Sequence, residues 1–236
     1  MLAAQVTDNS YKGWQASLAL QFCHTPEKTL LHSAHHVGPL TVQRPFYPEG
    51  ETCHLYLLHP PGGVVGGDRL DITVRLDAKS HALITMPGAS KFYRSSGPQA
   101  RLHQHFYLDE GSTLEWLPQD TIIFPGANAA LRSIFHLKAS STLLAWELYC
   151  LGRPVINEIF SHGTLESRLE VWVEDDQLSE ALKTLTEKKR NIILLSYFMD
   201  MSDSEISEFI KIPRSNVQYH RTKTLEAMRK IMEERK

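Results

Sequence analysis

The stretch "HPPGGVVGGDRL", His59 to Leu70, sets Gly62 and Gly67 at the G-x-x-x-x-G spacing of a phosphate-binding loop. The residues that follow argue against that use. A phosphate cradle needs Lys and then Ser or Thr after the second glycine, and a helix whose N-terminus faces the anion. Here Asp68 and Arg69 follow, and the next segment alternates as a strand. A carboxylate at that place repels phosphate and suits a cation; the competing reading is a wide turn in which glycines permit positive φ. Histidines gather in "HSAHH" (His32, His35, His36), and His103 and His105 stand at i, i+2, on one strand face about 7 Å apart. Imidazole suits nickel, copper and zinc, although strand histidines lacking a third convergent ligand are more often half-exposed surface groups. Glu51, Asp68, Glu115 and Glu170 lie on or beside strands with apolar neighbours. Separately they are edge groups; facing one interior they would form a polar conduit. Ser90 and Lys91 are adjacent, so on a strand they point to opposite faces and make no nucleophile and base pair. Catalysis is therefore not expected, and a hydrolase reading rests on the number of histidines alone.

These residues need elements to position them, and the chain supplies two kinds. Up to Val173 it reads as strand after strand: "SLALQFC" from Ser17, "TCHLYLLH" from Thr52, "RLDITVRLD" from Arg69, "HALITM" from His81, "RLHQHFYLD" from Arg101, "STLEWL" from Ser112 and "LLAWELYC" from Leu143. Gly, Pro, Asp and Ser fill the turns between them. No fixed-period repeat is visible, so a solenoid built from regular sequence repeats is not expected. After Gln177 the apolar spacing is helical: "LSEALKTL", "EKKRNIILLSYFMD", "DSEISEFI" and a long segment from Arg214 to about Glu234. Ser202 and Glu205 have capping-box spacing, which predicts a helix start at Asp203, and Pro213 separates that helix from the next. Two short helices with a basic second one have the form of a helix-turn-helix.

Composition divides at the same place. All thirteen glycines, all four tryptophans and eleven of the twelve histidines precede residue 173, whereas Lys211 to Lys236 carries eight Lys or Arg against three Glu. The formal net charge of −2 gives no global field toward nucleic acid, so only the local basic tail points that way. Cys23, Cys53 and Cys150 are far apart and in no CxxC pair, which fits reduced thiols. The start lacks a signal peptide's apolar core, and no apolar run reaches the roughly 20 residues needed to cross a bilayer. A cytoplasmic protein with no membrane association is expected.

"HVGPLTVQRPFYPEG", "HLYLLHPPGGVVGGDRL", "LITMPGASKFYRSSG", "LEWLPQDTIIFPGANA" and "LGRPVINEIFSHGTLESRLEVWV", in that order, resemble the urease accessory protein family UreD, also called UreH. The resemblance runs from about Gly13 to about Asp176. It implies a β-helix-like scaffold that binds UreF and apo-urease and, with the GTPase UreG, guides nickel through an internal polar tunnel. Glu51, Asp68, Ser90 and Glu170, with Glu115, are the residues it suggests for the nickel path. Nickel would be held transiently, with no tightly bound cofactor, because a tight site does not release its metal. Members of the family continue well beyond the "RLEVWV" strand, so the resemblance implies a β scaffold truncated at its C-terminal end, with unpaired strand edges there.

"LTEKKRNIILLSYFMDMSDSEISEFIKIPRSNVQYHRTKTLEAMRKIMEE", from Leu185, resembles region 4 of sigma-70-type RNA polymerase sigma factors. The inward residues it implies are Ile206, Phe209, Ile212, Val217 and Leu225. Those it places on DNA are Arg214, Ser215, Asn216, Gln218, Tyr219, His220, Arg221 and Lys223, with Arg and Lys binding phosphate or guanine and Asn and Gln reading adenine. Lys211 stands where a turn glycine is common. The alternative is a small helical bundle whose basic face is merely solvated.

The expected architecture is therefore multi-domain: an incomplete all-β domain over residues 1–178 and a small all-α helix-turn-helix domain over 179–236. Two functions follow from it. One is a nickel-insertion scaffold with a DNA-binding appendage; the other is a promoter or RNA polymerase-binding protein whose β part is a passenger. No Gly, Ser or Pro spacer separates the halves, so the join between Val173 and Ser179 reads as a seam between families, natural or artificial, rather than a linker.

Overall fold

The structure is a computed structural model, and it describes residues 13–174, 181–197 and 199–233. Two compact units make up the chain, Met1–Val173 and Glu174–Lys236.

In the first unit the chain winds through three sheets in turn. β5 (Arg69–Leu76), β6 (His81–Thr85) and β7 (Ser90–Phe92) form one rung; β8 (Ala100–Leu108), β9 (Thr113–Leu117) and β10 (Thr121–Ile123) the next; β11 (Asn128–Lys138), β12 (Thr142–Ala145) and β13 (Tyr149–Arg153) a third. Equivalent strands pair in parallel, as Leu70↔Leu102↔Leu131 and Ile84↔Trp116↔Ala145 show. β4 (Cys53–Leu58) lies parallel to β6, and β1 (Gln15–His24) parallel to β5. The antiparallel strands β2 (Thr29–Val37) and β3 (Thr41–Val42) border two of the sheets at this end. After a 3-10 turn at Pro154–Ile156, β14 (Glu158–Ile159) and β15 (Thr164–Glu174) border two sheets at the other.

This stack is the β-helix-like scaffold that the resemblance implies, and it is built without a regular sequence repeat. Successive rungs begin at Arg69, Ala100, Asn128 and Thr164, steps of 31, 28 and 36 residues (100 − 69, 128 − 100, 164 − 128), so no single period marks them. What does repeat is a corner. Residues 77–80 (DAKS), 109–112 (DEGS) and 138–141 (KASS) are four-residue turns, closed by Ser80 N donating to Asp77 O, Ser112 N to Asp109 O and Ser141 N to Lys138 O. Thr113 N bonds Ser80 O and Thr142 N bonds Ser112 O, which stacks each corner on the one before. Ser80 and Ser112 are fully buried, because a small residue with a hydroxyl fits the corner and satisfies backbone there.

Alternation follows from the winding: inward residues from each sheet meet along the axis. Leu20, Val74, Phe106 and Phe135 form one inward row, and Phe106 stacks on Phe135 at 4.4 Å and tilts against Trp116 at 4.8 Å. The strands β2, β3, β7, β10 and β14 add to those read from the sequence, and two longer segments differ from that reading. "LLAWELYC" divides into β12 and β13 with a corner between, and β11 was not anticipated because Ser133, Ile134 and Phe135 are buried consecutively and blur its alternation.

The second unit holds α1 (Glu187–Tyr197), α2 (Asp203–Ile210) and α3 (Arg214–Glu233). Part of the "LSEALKTL" helix expected from Leu178 lies outside the described residues; 181–183 are helical. Ser202 is the N-cap of α2 in a complete capping box with Glu205, and Asp203 is its first residue. Lys211 takes the left-handed conformation (φ 56°) that a glycine often supplies, its N–H bonding Ser207 O. Ile192, Ile206 and Val217 form one buried cluster; Ala181, Ile193 and Met228, with Leu225 packed beside them, form another. Phe209 departs from the expected inward set and is 68 % exposed. Ile206 and Ile210, four residues apart, make the inward stripe of α2, and Phe209 falls outside it.

Candidate functional site

Within the β unit the polar groups that converge lie on the inner walls. Ser90, Thr121 and Tyr149 share one row of the β7-β10-β13 sheet. Across the interior, Gln104 and Ser133 are register partners on β8 and β11, both buried. Glu147, in the corner between β12 and β13, joins the two walls: Ser133 Oγ lies 2.8 Å from Gln104 Oε1 and 2.5 Å from Glu147 Oε1, and Tyr149 Oη donates to Glu147 Oε2 at 2.6 Å. Ser167 of β15 donates to Tyr149 Oη at 2.9 Å. Burial pushes the Tyr149 phenol well up, and the adjacent Glu147 carboxylate adds to the shift, so this hydroxyl keeps its proton.

Two cavities open along this row. One, of about 20 Å³, is bounded by Ser90, Gln104, Trp116, Thr121, Glu147 and Tyr149. That is room for about one water-sized occupant. Trp116 Nε1, on its wall, is buried without a hydrogen-bond partner among the described residues. The other cavity, of about 410 Å³, is walled by His59, Gly62, Leu70, Phe92, Ser90 and Met86 among others. Ser90 and Met86 belong to both, so the polar row and the glycine loop share a boundary. His59 is half-buried there, and desolvation lowers its pKa despite the opposing charge of Asp68.

The five residues suggested for a metal path occupy different places. Ser90 faces the interior row. Asp68, 5 % exposed, accepts from Trp14 N at 2.8 Å and Val65 N at 2.9 Å, which ties the glycine loop to the first strand. Gly67, just before it, has φ 94°, a conformation that suits glycine. Glu51 is exposed. Glu115 points outward on β9 against His81 Nε2 (2.8 Å), whose other ring nitrogen meets Thr52 Oγ1 at 3.2 Å. Thr52 is buried, so this Thr, His and Glu series ties strands and offers no accessible nucleophile. Glu170 sits on the outer face of β15 between Arg132 (2.7 Å) and Arg168 (2.9 Å), and the bond from Arg132 chiefly lowers its pKa. His103 and His105 also face outward on β8, His103 Nδ1 being 3.7 Å from Asp71 Oδ1. Among the described residues no group of three His, Cys, Asp or Glu side chains converges as a metal site.

Glu147, Gln104, Ser133 and Tyr149 were missed by sequence reasoning. Glu147 was hidden inside an assumed strand. The available signal was polar residues at inward parity in apolar strands, as Gln104 is in "RLHQHFYLD".

In the helical unit Arg214, Ser215, Asn216, Gln218 and Tyr219 are exposed along the start of α3. Arg221 and Lys223 already have partners. Arg221 Nη1 lies 3.1 Å from Asp203 Oδ1 and 3.5 Å from Ser196 Oγ, and Lys223 pairs with Glu226 at 2.8 Å. His220 is half-buried and packs edge-on to Tyr219.

A three-sheet parallel β-solenoid with a polar row along its interior is the class of protein that the first unit defines. Residues 15–189 match the family model described as UreD urease accessory protein, and the chain belongs to that family. Residues 175–228 match the family model Sigma-70, region 4. The urease accessory protein UreD of Enterobacter sp. (strain 638) is 81 % identical over 166 residues, 70 % of this chain and 61 % of that protein. UreD of Klebsiella aerogenes is 69 % identical over 167 residues, 71 % of this chain and 62 % of that protein. A putative UreD homolog of Escherichia coli O157:H7 is 64 % identical over 178 residues, 75 % and 72 % of the two chains. The chain thus spans about three fifths of the length of the first of these relatives. No described helix is long and apolar enough to cross a membrane.

Proposed function

We propose that the β unit is a nickel-transfer scaffold for urease maturation, acting without catalysis of its own. The observation that carries this reading is the Ser133, Glu147 and Tyr149 chain beside cavities that meet at Ser90. A carboxylate with hydroxyl neighbours offers hard oxygen ligands in small number, which suits passage of a divalent cation better than retention. Nickel is cargo here, entering past His59 and the Asp68-tied glycine loop and moving along the Ser90, Thr121 and Tyr149 wall. UreF, UreG and apo-urease are the partners this reading requires. The outward positions of Glu51, Glu115 and Glu170 suit partner contact better than the path itself. The test is co-expression with a urease operon lacking its own UreD, reading nickel content and urease activity. Recovery that is lost in Glu147→Gln, with the fold retained, supports the path through Glu147; no recovery by the unaltered chain overturns the scaffold reading.

A second function is proposed for the helical unit, carried by the capped α2, the turn at Lys211 and the polar start of α3. It binds promoter DNA and, through it, acts with RNA polymerase. Arg214, Asn216 and Gln218 are the free base- and phosphate-contacting side chains, with Ser215 and Tyr219 beside them, while Arg221 acts by holding α3 to α2. Retention on duplex DNA that falls steeply with salt, and weakens in Arg214→Ala, is expected. Salt-independent retention would overturn it. The division of labour at residue 178 belongs to the same proposal: limited proteolysis is expected to cut near Asp175 and leave two resistant pieces.

A further inference from the structure

The two ends of the solenoid are finished differently. At the β2 and β3 end, the large exposed apolar residues are Trp14, just before β1, Val37 and Phe46. At the other end the final rung exposes Leu151, Val155, Ile156, Ile159, Leu169, Val171, Trp172 and Val173. β15 is the reason. Its odd-numbered residues continue the interior face, since Leu165 packs on the core and Ser167 bonds Tyr149. Yet Leu169, Val171 and Val173 on that face are 47, 49 and 62 % exposed. The same face of the preceding strand, β11, is buried at Leu131, Ser133 and Phe135. β15 is also a sheet border, with β11 on one side and no strand on the other among the described residues. An open, apolar, eleven-residue edge is a template for another strand.

The charge order of β15 selects the occupant. Its outward residues run Glu166, Arg168, Glu170, Trp172, Glu174. An antiparallel copy of β15 keeps both apolar faces on one side only in registers that pair odd residues with odd. Of these, the register overlapping the whole strand has its two-fold axis at Leu169. It sets Arg168 opposite Glu170 of the second copy, twice, and aligns Leu165 with Val173 and Ser167 with Val171. Shifting the axis to Glu170 sets Glu170 against itself; shifting it to Arg168 sets Arg168 against itself. Opposite charges across strands stabilise a pair and like charges oppose it.

We propose that the chain forms a head-to-head dimer in which β15 pairs antiparallel with β15 of a second copy about Leu169, joining the two six-stranded sheets. The contact is isologous, so it closes at two copies and does not propagate.

Sedimentation equilibrium of the full chain over a wide concentration range tests this. The expected mass is twice 26.8 kDa. Val171→Lys, at an exposed position, is expected to give the 26.8 kDa monomer with an unchanged circular dichroism spectrum. Arg168→Glu and Glu170→Arg each place like charges at both ends of the two-fold and are expected to be monomeric alone. Mixed, they are expected to form a heterodimer, since each carries the charges the other lacks. A monomeric unaltered chain, an open-ended polymer, a Val171→Lys dimer of undiminished affinity, or a mixture that does not pair would each overturn the proposal.

Discussion

The stacked strands from β4 to β13 satisfy their backbone chiefly through strands about 30 residues away, whereas residues 187–233 satisfy most of theirs within four. The difference governs how each unit can end. A helix closes its own hydrogen bonds and needs only a cap, which Ser202 and Glu205 supply for α2. A solenoid rung has no such closure: each rung is covered by the next, so the last one stays open until something else covers it. The β2 and β3 end is bordered by antiparallel strands and exposes three large apolar residues, Trp14, Val37 and Phe46; the β15 end exposes a contiguous apolar stripe.

If the two units are stabilised as independently as this contrast implies, a core change in one leaves the other's unfolding transition in place. Phe106→Ala, which removes the centre of the stacked aromatic row, is expected to cost about 3–5 kcal/mol and to shift only the β transition. Ile206→Ala is expected to cost about 2–5 kcal/mol and to shift only the helical one. Calorimetry of both variants checks this, and a joint shift in either would break the comparison. Next in size is Glu147→Leu, which leaves the Tyr149 hydroxyl without its acceptor, while Ser133 keeps Gln104 Oε1, at a cost of about 1–3 kcal/mol. Denaturant titration is expected to place that loss wholly in the β transition. Ser202→Ala removes the cap and is expected to cost the helical unit about 1 kcal/mol, read from its midpoint. The smallest effect is pH dependence at His59. Its folded pKa is depressed by burial, so the unfolded chain binds the proton more readily. Stability of the β unit is therefore complete above the ordinary histidine pKa and falls as pH drops from there toward the folded value. His59→Gln is expected to flatten that slope in thermal melts taken across the acidic range.

Much of this was legible in the chain. The helical period, the capping-box spacing and Pro213 located α2 and α3, because those signals act over three or four residues. Strands with clean alternation, such as β5 and β8, were equally plain. The stacked corners were present as DAKS, DEGS and KASS but passed unread, since unequal rungs hid the period. The interior polar row was harder. Ser90 came through resemblance, whereas Glu147 stands in a corner that looked like the middle of a strand. Phe209 shows the opposite error: an apolar residue at plausible spacing faces water because Ile206 and Ile210 already supply the buried stripe of its helix.

The sequence by itself determined the two classes of structure, their order and the caps and turns that punctuate them, because these depend on neighbours a few residues apart. Only the tertiary structure decided which carboxylate looks inward. Asp68, Glu115, Glu147 and Glu170 are alike in sequence terms, yet one ties a loop, two face outward and one bridges the interior walls. That choice is made by the register of strands about 30 residues apart. A one-residue change in such a register would turn each side chain to the opposite face.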